Sequence, residues 1–96
     1  MIRLSVLYPR TDGATFDHEY YRDSHVPLCL RTWNLDADRA EIDRGLNGPY
    51  EAAVHVRFDS MEAVKSAMAS PGMADILGDI ANYTTISPVM QTSEIV

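Results

Sequence analysis

The sequence predicts an α+β domain of the ferredoxin-like type. The expected order is β-α-β-β-α-β, with an antiparallel sheet and both helices on one of its faces. Three observations carry this expectation. Ile2 to Tyr8 and Tyr50 to Phe58 alternate at the period of a strand. Two stretches, Phe16 to Leu28 and Met61 to Ile80, repeat apolar residues at helical spacing. Between them, "NGP" (Asn47 to Pro49) is a turn signal joining two middle strands.

In the first strand Ile2, Leu4, Val6 and Tyr8 share one face, Arg3, Ser5 and Leu7 share the other, and Pro9 ends the run. Asp12-Gly13 then marks a turn. A helix is expected to begin near Thr15 to Asp17, residue types whose side chains accept from free N–H groups. At about 100° per residue, Phe16, Tyr20, Tyr21, Ser24 and Leu28 fall in one sector, read as buried. Glu19, Arg22 and Asp23 face water, and His25 lies at the border. Pro27 has no N–H for the Asp23 carbonyl and disfavours helical angles at Val26. A kink or restart is therefore expected at "SHVP", with the helix running on to about Trp33.

"RAEIDRGL" (Arg39 to Leu46) alternates weakly and is read as the second strand. It pairs as a hairpin with "YEAAVHVRF", where Tyr50, Ala52, Val54, Val56 and Phe58 line one face. The second helix follows, capped by Asp59 or Ser60, with Glu62 placed for a capping box. Met61, Val64 and Met68 form its expected buried stripe. Pro71 suits the first turn of a restarted helix, continued by Met73, Ile76, Leu77 and Ile80. The last segment is β-rich, and Pro88 within it implies an edge strand, a bulge or a start after the proline.

Composition narrows the function. With 96 residues the chain has room for one domain, residues 1–96. Its net charge of −6 and scattered basic residues argue against nucleic acid and anionic membranes. The first residues, "MIRLSVLYP", lack a basic n-region and a long apolar run and are too short for a signal peptide or span, and Cys29 has no partner for a disulfide. A cytoplasmic location is expected. The open sheet face mixes Arg3, Ser5, His55 and Arg57 with Leu7 and Ala53. It is too polar for a core and too apolar for a free surface, so two sheets are expected to pack face to face in a homodimer.

His25 is the first candidate for chemistry. Tyr21 is one turn before it, so the two side chains can touch. At a loosened helix an imidazole can line a pocket and move a proton near neutral pH. Equally, it can bond a loose carbonyl and stabilise the kink. Tyr8 points towards the helices, and its hydroxyl can reach a pocket near His25 or be a bonded core group. His55 points into the expected dimer as a ligand group or an interface histidine. His18 is read as solvated. Asp79 and Asn82 end the second helix and can close it through loop backbone. No cofactor is expected. His18 and His25 stand about 10 Å apart at ~1.5 Å rise per residue, and there is no Cys pair or His-x-x-x-His. Cys29 has no basic neighbour on its turn and is read as an inert thiol.

Several stretches together resemble the EthD (ethyl tert-butyl ether degradation) family of the dimeric α/β-barrel superfamily. They are "MIRLSVLYPR", "TFDHEYYRDSHVPL", "EIDRGL", "YEAAVHVRFDSMEA", "DILGDIANYT" and "PVMQTSEIV", in order over nearly the whole chain. The resemblance implies a ferredoxin-like fold and a dimer whose sheets close a barrel. It matches His25 to a His-x-Pro motif position and places Asp79 and Asn82 in a repeated run at a possible pocket rim. It also implies a small organic ligand. The expected enzymes are a metal-free isomerase, dehydratase or cyclase, with His25 moving the proton and Tyr21 and Tyr8 orienting the substrate, or a cofactor-free monooxygenase. The alternatives are a non-catalytic accessory protein of an oxidative degradation system and a haem binder using His25.

Overall fold

A computed structural model describes residues 1–96. The strands are β1 (Ile2–Pro9), β2 (Ala40–Arg44), β3 (Tyr50–Phe58) and β4 (Val89–Glu94). They form one antiparallel sheet in the order β2-β3-β1-β4. Between β1 and β2 runs a continuous helix made of α1 (His18–Tyr20), a π-turn (Tyr21–His25) and α2 (Val26–Trp33). Between β3 and β4 come α3 (Met61–Met68) and α4 (Met73–Asp79). This is the ferredoxin-like order expected from the pattern. No helix is long and apolar enough to cross a membrane.

The core lies between the sheet and the helices. Leu4 and Tyr8 of β1 and Ala52, Val54, Val56 and Phe58 of β3 meet Tyr21, Val26, Leu30, Val64 and Ala67 from the helices. Strand alternation was therefore a sound guide in the centre of the sheet, and it failed at one end. Alternation groups Tyr50 with Ala52, Val54, Val56 and Phe58, yet it is 39% exposed while they are buried. The β1–β3 register shifts between Tyr8 and Pro9, so Tyr50 pairs with Pro9 and turns to the open face, beside Leu7, Ala53 and His55. Pro88 directly precedes β4, which is an edge strand, where a missing N–H costs no ladder bond.

The second helical layer departs from expectation in three details. Ser60, one of the two expected caps, accepts from the Ala63 N–H at 3.1 Å, which puts Ala63 and not Glu62 at the third helical position, so the expected capping box does not form. The buried stripe of α3 is Val64 and Ala67, while Met61 is 41% exposed. Pro71 lies outside α4, whose cap is Gly72. A side chain there would meet Thr32 of α2, since a Cβ would stand 2.6 Å from its Cγ2. Glycine thus lets the loop between α3 and α4 approach α2 and seat α4 beside the first helix.

On the open face, Arg3 stands opposite Arg57, Ser5 opposite His55 and Leu7 opposite Ala53. Like charges in direct register repel. Arg57 is drawn instead to Glu41 of β2 at 3.6 Å.

Burial separates two leucines sharply. Leu4 is 2% exposed and Leu46, at the tip of the β2–β3 turn, is 91% exposed. Leu4→Ala is expected to cost about 2–5 kcal/mol in urea unfolding. Leu46→Ala should stay within about 0.5 kcal/mol of the parent.

Candidate functional site

The π-turn governs the site. Asp17 caps the helix by accepting from the Tyr20 N–H at 3.0 Å. Four residues further the ladder widens, and the Val26 N–H donates to the Tyr21 carbonyl five residues back. Pro27, which has no N–H and a bulky ring, is accommodated by this wide turn rather than by a break. Val26 keeps helical angles (φ −63°, ψ −41°) despite preceding a proline. The expected kink at "SHVP" is thus corrected to a continuous helix with one extra residue in a turn.

That extra residue shifts the helical phase. The regular 100° projection placed Ser24 and Leu28 with the buried residues. In the structure Ser24 is exposed, and His25, Val26, Cys29 and Leu30 are buried. His25 therefore moves from the border of the buried sector into the interior, only 4% exposed. Its ring stacks on Tyr21, with centroids 5.6 Å apart and planes 15° from parallel, and lies 4.5 Å from the Tyr83 ring.

Asp79, at the end of α4, holds this histidine. His25 Nδ1 donates to its Oδ2 at 2.9 Å. The Tyr20 hydroxyl donates to Oδ1 at 2.6 Å, and Asn82 Nδ2 donates to Oδ1 at 2.9 Å. The spacing of Asp79 and Asn82 in the sequence suits closing their own helix. Their side chains instead join α4 to α1 and the π-turn. A carboxylate only accepts, so Nδ1 carries the proton and neutral His25 presents a lone pair at Nε2. The sole polar contact of Nε2 is Cys29 Sγ, at 3.7 Å. Burial pushes His25 below its ordinary value of 6.5, against the pull of Asp79. Burial also acts to raise Asp79, but the bonds from Tyr20, Asn82 and His25 together hold it below 3.8. The Cys29 thiol is pushed up to about 12 by burial, so it is no thiolate nucleophile at neutral pH.

A cavity of about 60 Å³ opens beside His25, between the sheet and the helices. Val6, Tyr8, Val54 and Val56 form its sheet wall, and Tyr21, His25, Cys29 and Trp33 its helical wall. Leu77, 61% exposed, and half-exposed Met90 mark the mouth. The exposure of Leu77, expected inside the α4 stripe, follows from this position. Tyr8 and Tyr21 thus join His25 at one cavity. The Tyr8 and Tyr83 hydroxyls bond each other at 2.6 Å. The Tyr21 hydroxyl is buried close to Tyr8 but makes no hydrogen bond of good geometry.

His55 lies elsewhere, on the open sheet face. It contacts Asp43 through Nε2 at 3.2 Å and Ser5 Oγ through Nδ1 at 2.8 Å. Ser5 sits in mid-strand, paired on both sides, so no free pair of N–H groups is at hand for an oxyanion. His18, read as solvated, packs 4.5 Å from the Phe16 ring and bonds Glu51 at 2.8 Å. Tyr83, Tyr20 and Trp33 were missed as site residues. The run from Asp79 to Tyr83 was the available signal, but its spacing suits a helix end equally well. No three His, Cys, Asp or Glu side chains converge in a way that could hold a metal ion.

No family model matches the chain, and no curated protein does. Among solved structures, an EthD-like protein from Ralstonia eutropha JMP134 is 41% identical, with a TM-score of 0.89 over 99% of this chain and 91% of that one. The chain belongs to the EthD family. An EthD family protein from Bacillus halodurans C-125 shares the fold at 18% identity, with a TM-score of 0.76 over 100% of this chain and 99% of that one. So does a dimeric ferredoxin-like protein from Thermobifida fusca YX at 17% identity, with a TM-score of 0.61 over 98% and 90% of the two chains.

Two outcomes follow for this EthD-family site. Tyr21→Phe removes a buried hydroxyl that makes no hydrogen bond of good geometry, so it is expected to stabilise the free protein by about 1 kcal/mol in urea unfolding. The second concerns pH. The folded value of His25 lies below 6.5, so the unfolded chain takes up a proton first as pH falls. This contribution to stability is complete above about 6.5 and is lost as pH falls towards the folded value. Asp79 acts with the same sign lower down, its contribution lost as pH falls through and below 3.8. Unfolding free energy measured from pH 7 to pH 5 should therefore decline, and His25→Gln should flatten that decline.

Proposed function

We propose that this EthD-family protein binds a small organic molecule in the cavity beside His25 and catalyses a proton transfer on it. Isomerisation, dehydration and cyclisation are the reaction classes this serves; cofactor-free oxygenation is the next. His25 moves the proton through Nε2, while Tyr21 and Tyr8 orient the substrate. The observation that carries the reading is the His25–Asp79 pair at the wall of an apolar cavity. Asp79 fixes the tautomer and stabilises the imidazolium that forms when Nε2 takes a proton. Burial keeps the resting imidazole neutral near pH 7, the form a general base requires.

The largely apolar lining would also serve a non-catalytic carrier beside an oxidation system. A carrier has no need of an oriented imidazole facing its ligand, which favours the enzyme. A cavity of about 60 Å³ does not admit a porphyrin, so nothing supports haem binding by His25.

The working form in this proposal is a homodimer of single-domain chains, joined through the open sheet face. The mixed face of Arg3, Ser5, Leu7, Ala53, His55 and Arg57 suits a part-polar interface, and the Thermobifida fusca neighbour is described as dimeric. Light scattering at micromolar concentration tests this, and a monomer would refute it.

Trp33, the single tryptophan, lines the cavity and reports on binding. A panel of small organic compounds titrated against its fluorescence should find ligands. On any ligand that is turned over, His25→Ala is expected to lower kcat by about 10²–10⁴ with the fold retained. Unchanged turnover would remove His25 from the mechanism.

A further inference from the structure

Buried polar groups are nearly always bonded, so those left unbonded at a cavity describe its ligand. Around this cavity His25 Nδ1 is taken by Asp79 and the Tyr8 hydroxyl by Tyr83. Two functions are left. The Tyr21 hydroxyl, on a side chain 1% exposed, makes no hydrogen bond of good geometry; the nearby Tyr8 hydroxyl acts on it but has its own short bond to Tyr83. His25 Nε2 meets only the Cys29 thiol at 3.7 Å, a weak donor at long range. Tyr21 and His25 lie one helical turn apart with nearly parallel rings and border the same space. The cavity thus offers one unused donor and one unused lone pair.

Charge narrows the ligand further. No Lys, Arg, Asp or Glu side chain lines the cavity. Asp79 turns both oxygens to its three donors. An ionic ligand would lose its hydration and find no counter-charge. This lining suits a neutral, largely hydrocarbon molecule with one polar group.

We propose that the cavity takes a neutral carbonyl compound, whose oxygen accepts from the Tyr21 hydroxyl while His25 Nε2 removes a proton from the adjacent carbon. This rests on reading the cavity as a small-molecule site. In the step, the C–H bond breaks and its proton goes to Nε2. The electron pair becomes a C=C bond, and the carbonyl π pair moves onto oxygen. The enolate oxygen is held by Tyr21, and the new imidazolium by Asp79 through Nδ1. Return of the proton to the same carbon, or to a conjugated one, completes exchange or isomerisation. The sequence is redox-neutral and needs no co-reactant. Burial raises the Tyr21 pKa, so its hydroxyl keeps its proton and acts as a donor. Because it makes no hydrogen bond of good geometry in the free protein, no such bond must break when the oxyanion forms.

The test uses the full chain and three probes of one shape, small enough for the cavity: acetone, propan-2-ol and 2-methylpropene. Binding is read by Trp33 fluorescence, and deuterium uptake at the carbons beside the ketone by NMR in D2O. Acetone should bind roughly tenfold tighter than the hydrocarbon, the worth of about one hydrogen bond. Tyr21→Phe should erase that preference. The protein should speed deuterium uptake at least ~10²-fold over the same concentration of imidazole. His25→Ala should abolish that gain while keeping the ketone preference. Tighter binding of the alcohol, a ketone preference that survives in Tyr21→Phe, or uptake no faster than with imidazole would overturn the carbonyl assignment. If all three probes fail while another small organic compound binds, the carbonyl assignment falls and the small-molecule site stands. If no small organic compound binds, both fall.

Discussion

Asp79 is the group on which the site depends. It stands at the end of α4, yet its two oxygens receive Tyr20 from α1, His25 from the π-turn and Asn82 from the turn that follows α4. One carboxylate thereby ties the second helical layer to the first. Leaving it with fewer donors would strand a charge with little solvent around it. The same bonds choose the His25 tautomer and direct Nε2 away from Asp79. Helix packing and the chemistry of the imidazole are in this way set by a single interaction.

The π-turn makes that interaction possible. A regular helix would turn Ser24 inward and leave His25 at the margin. With one extra residue in the turn, Tyr21 and His25 stack inside and Cys29 and Leu30 follow beneath them. The protein tolerates unfavourable features here that its core avoids. A phenol is buried without a hydrogen bond of good geometry, and an imidazole is buried neutral. Such exceptions to good packing and bonding gather where function requires unused polar groups. The rest of the helix face of the sheet obeys the ordinary rule, with Leu4, Val56 and Phe58 closely packed.

The two sheet faces divide the labour. The helix face carries the cavity and the His25–Asp79 pair. The open face carries a separate polar chain through Asp43, His55 and Ser5, with arginines opposed across β1 and β3. The sequence puts a histidine on each face, His25 as the first candidate for chemistry and His55 as a ligand group or an interface histidine. Only the helix-face histidine borders the apolar cavity between sheet and helices, because strand alternation sends the other to the opposite side.

Strand positions, element order and the core of the sheet were determined by the sequence alone, because alternation and turn residues act over a few neighbouring positions. The family resemblance was legible for the same reason, carried by short ordered stretches. The ends of elements were less so: Tyr50 left the buried face through a register shift that no local pattern announces. Within "YYRDSHVPL" the sequence showed that Pro27 disturbs the helix. It did not show that the disturbance is a wide turn, since a break and a π-turn relieve the same missing N–H. The partner of His25 lies 54 residues away. Such a pairing is decided when α4 packs against the first helix, and it leaves no mark at either position. Tertiary structure alone therefore decided which way His25 faces, what holds it and which hydroxyl beside it stays free.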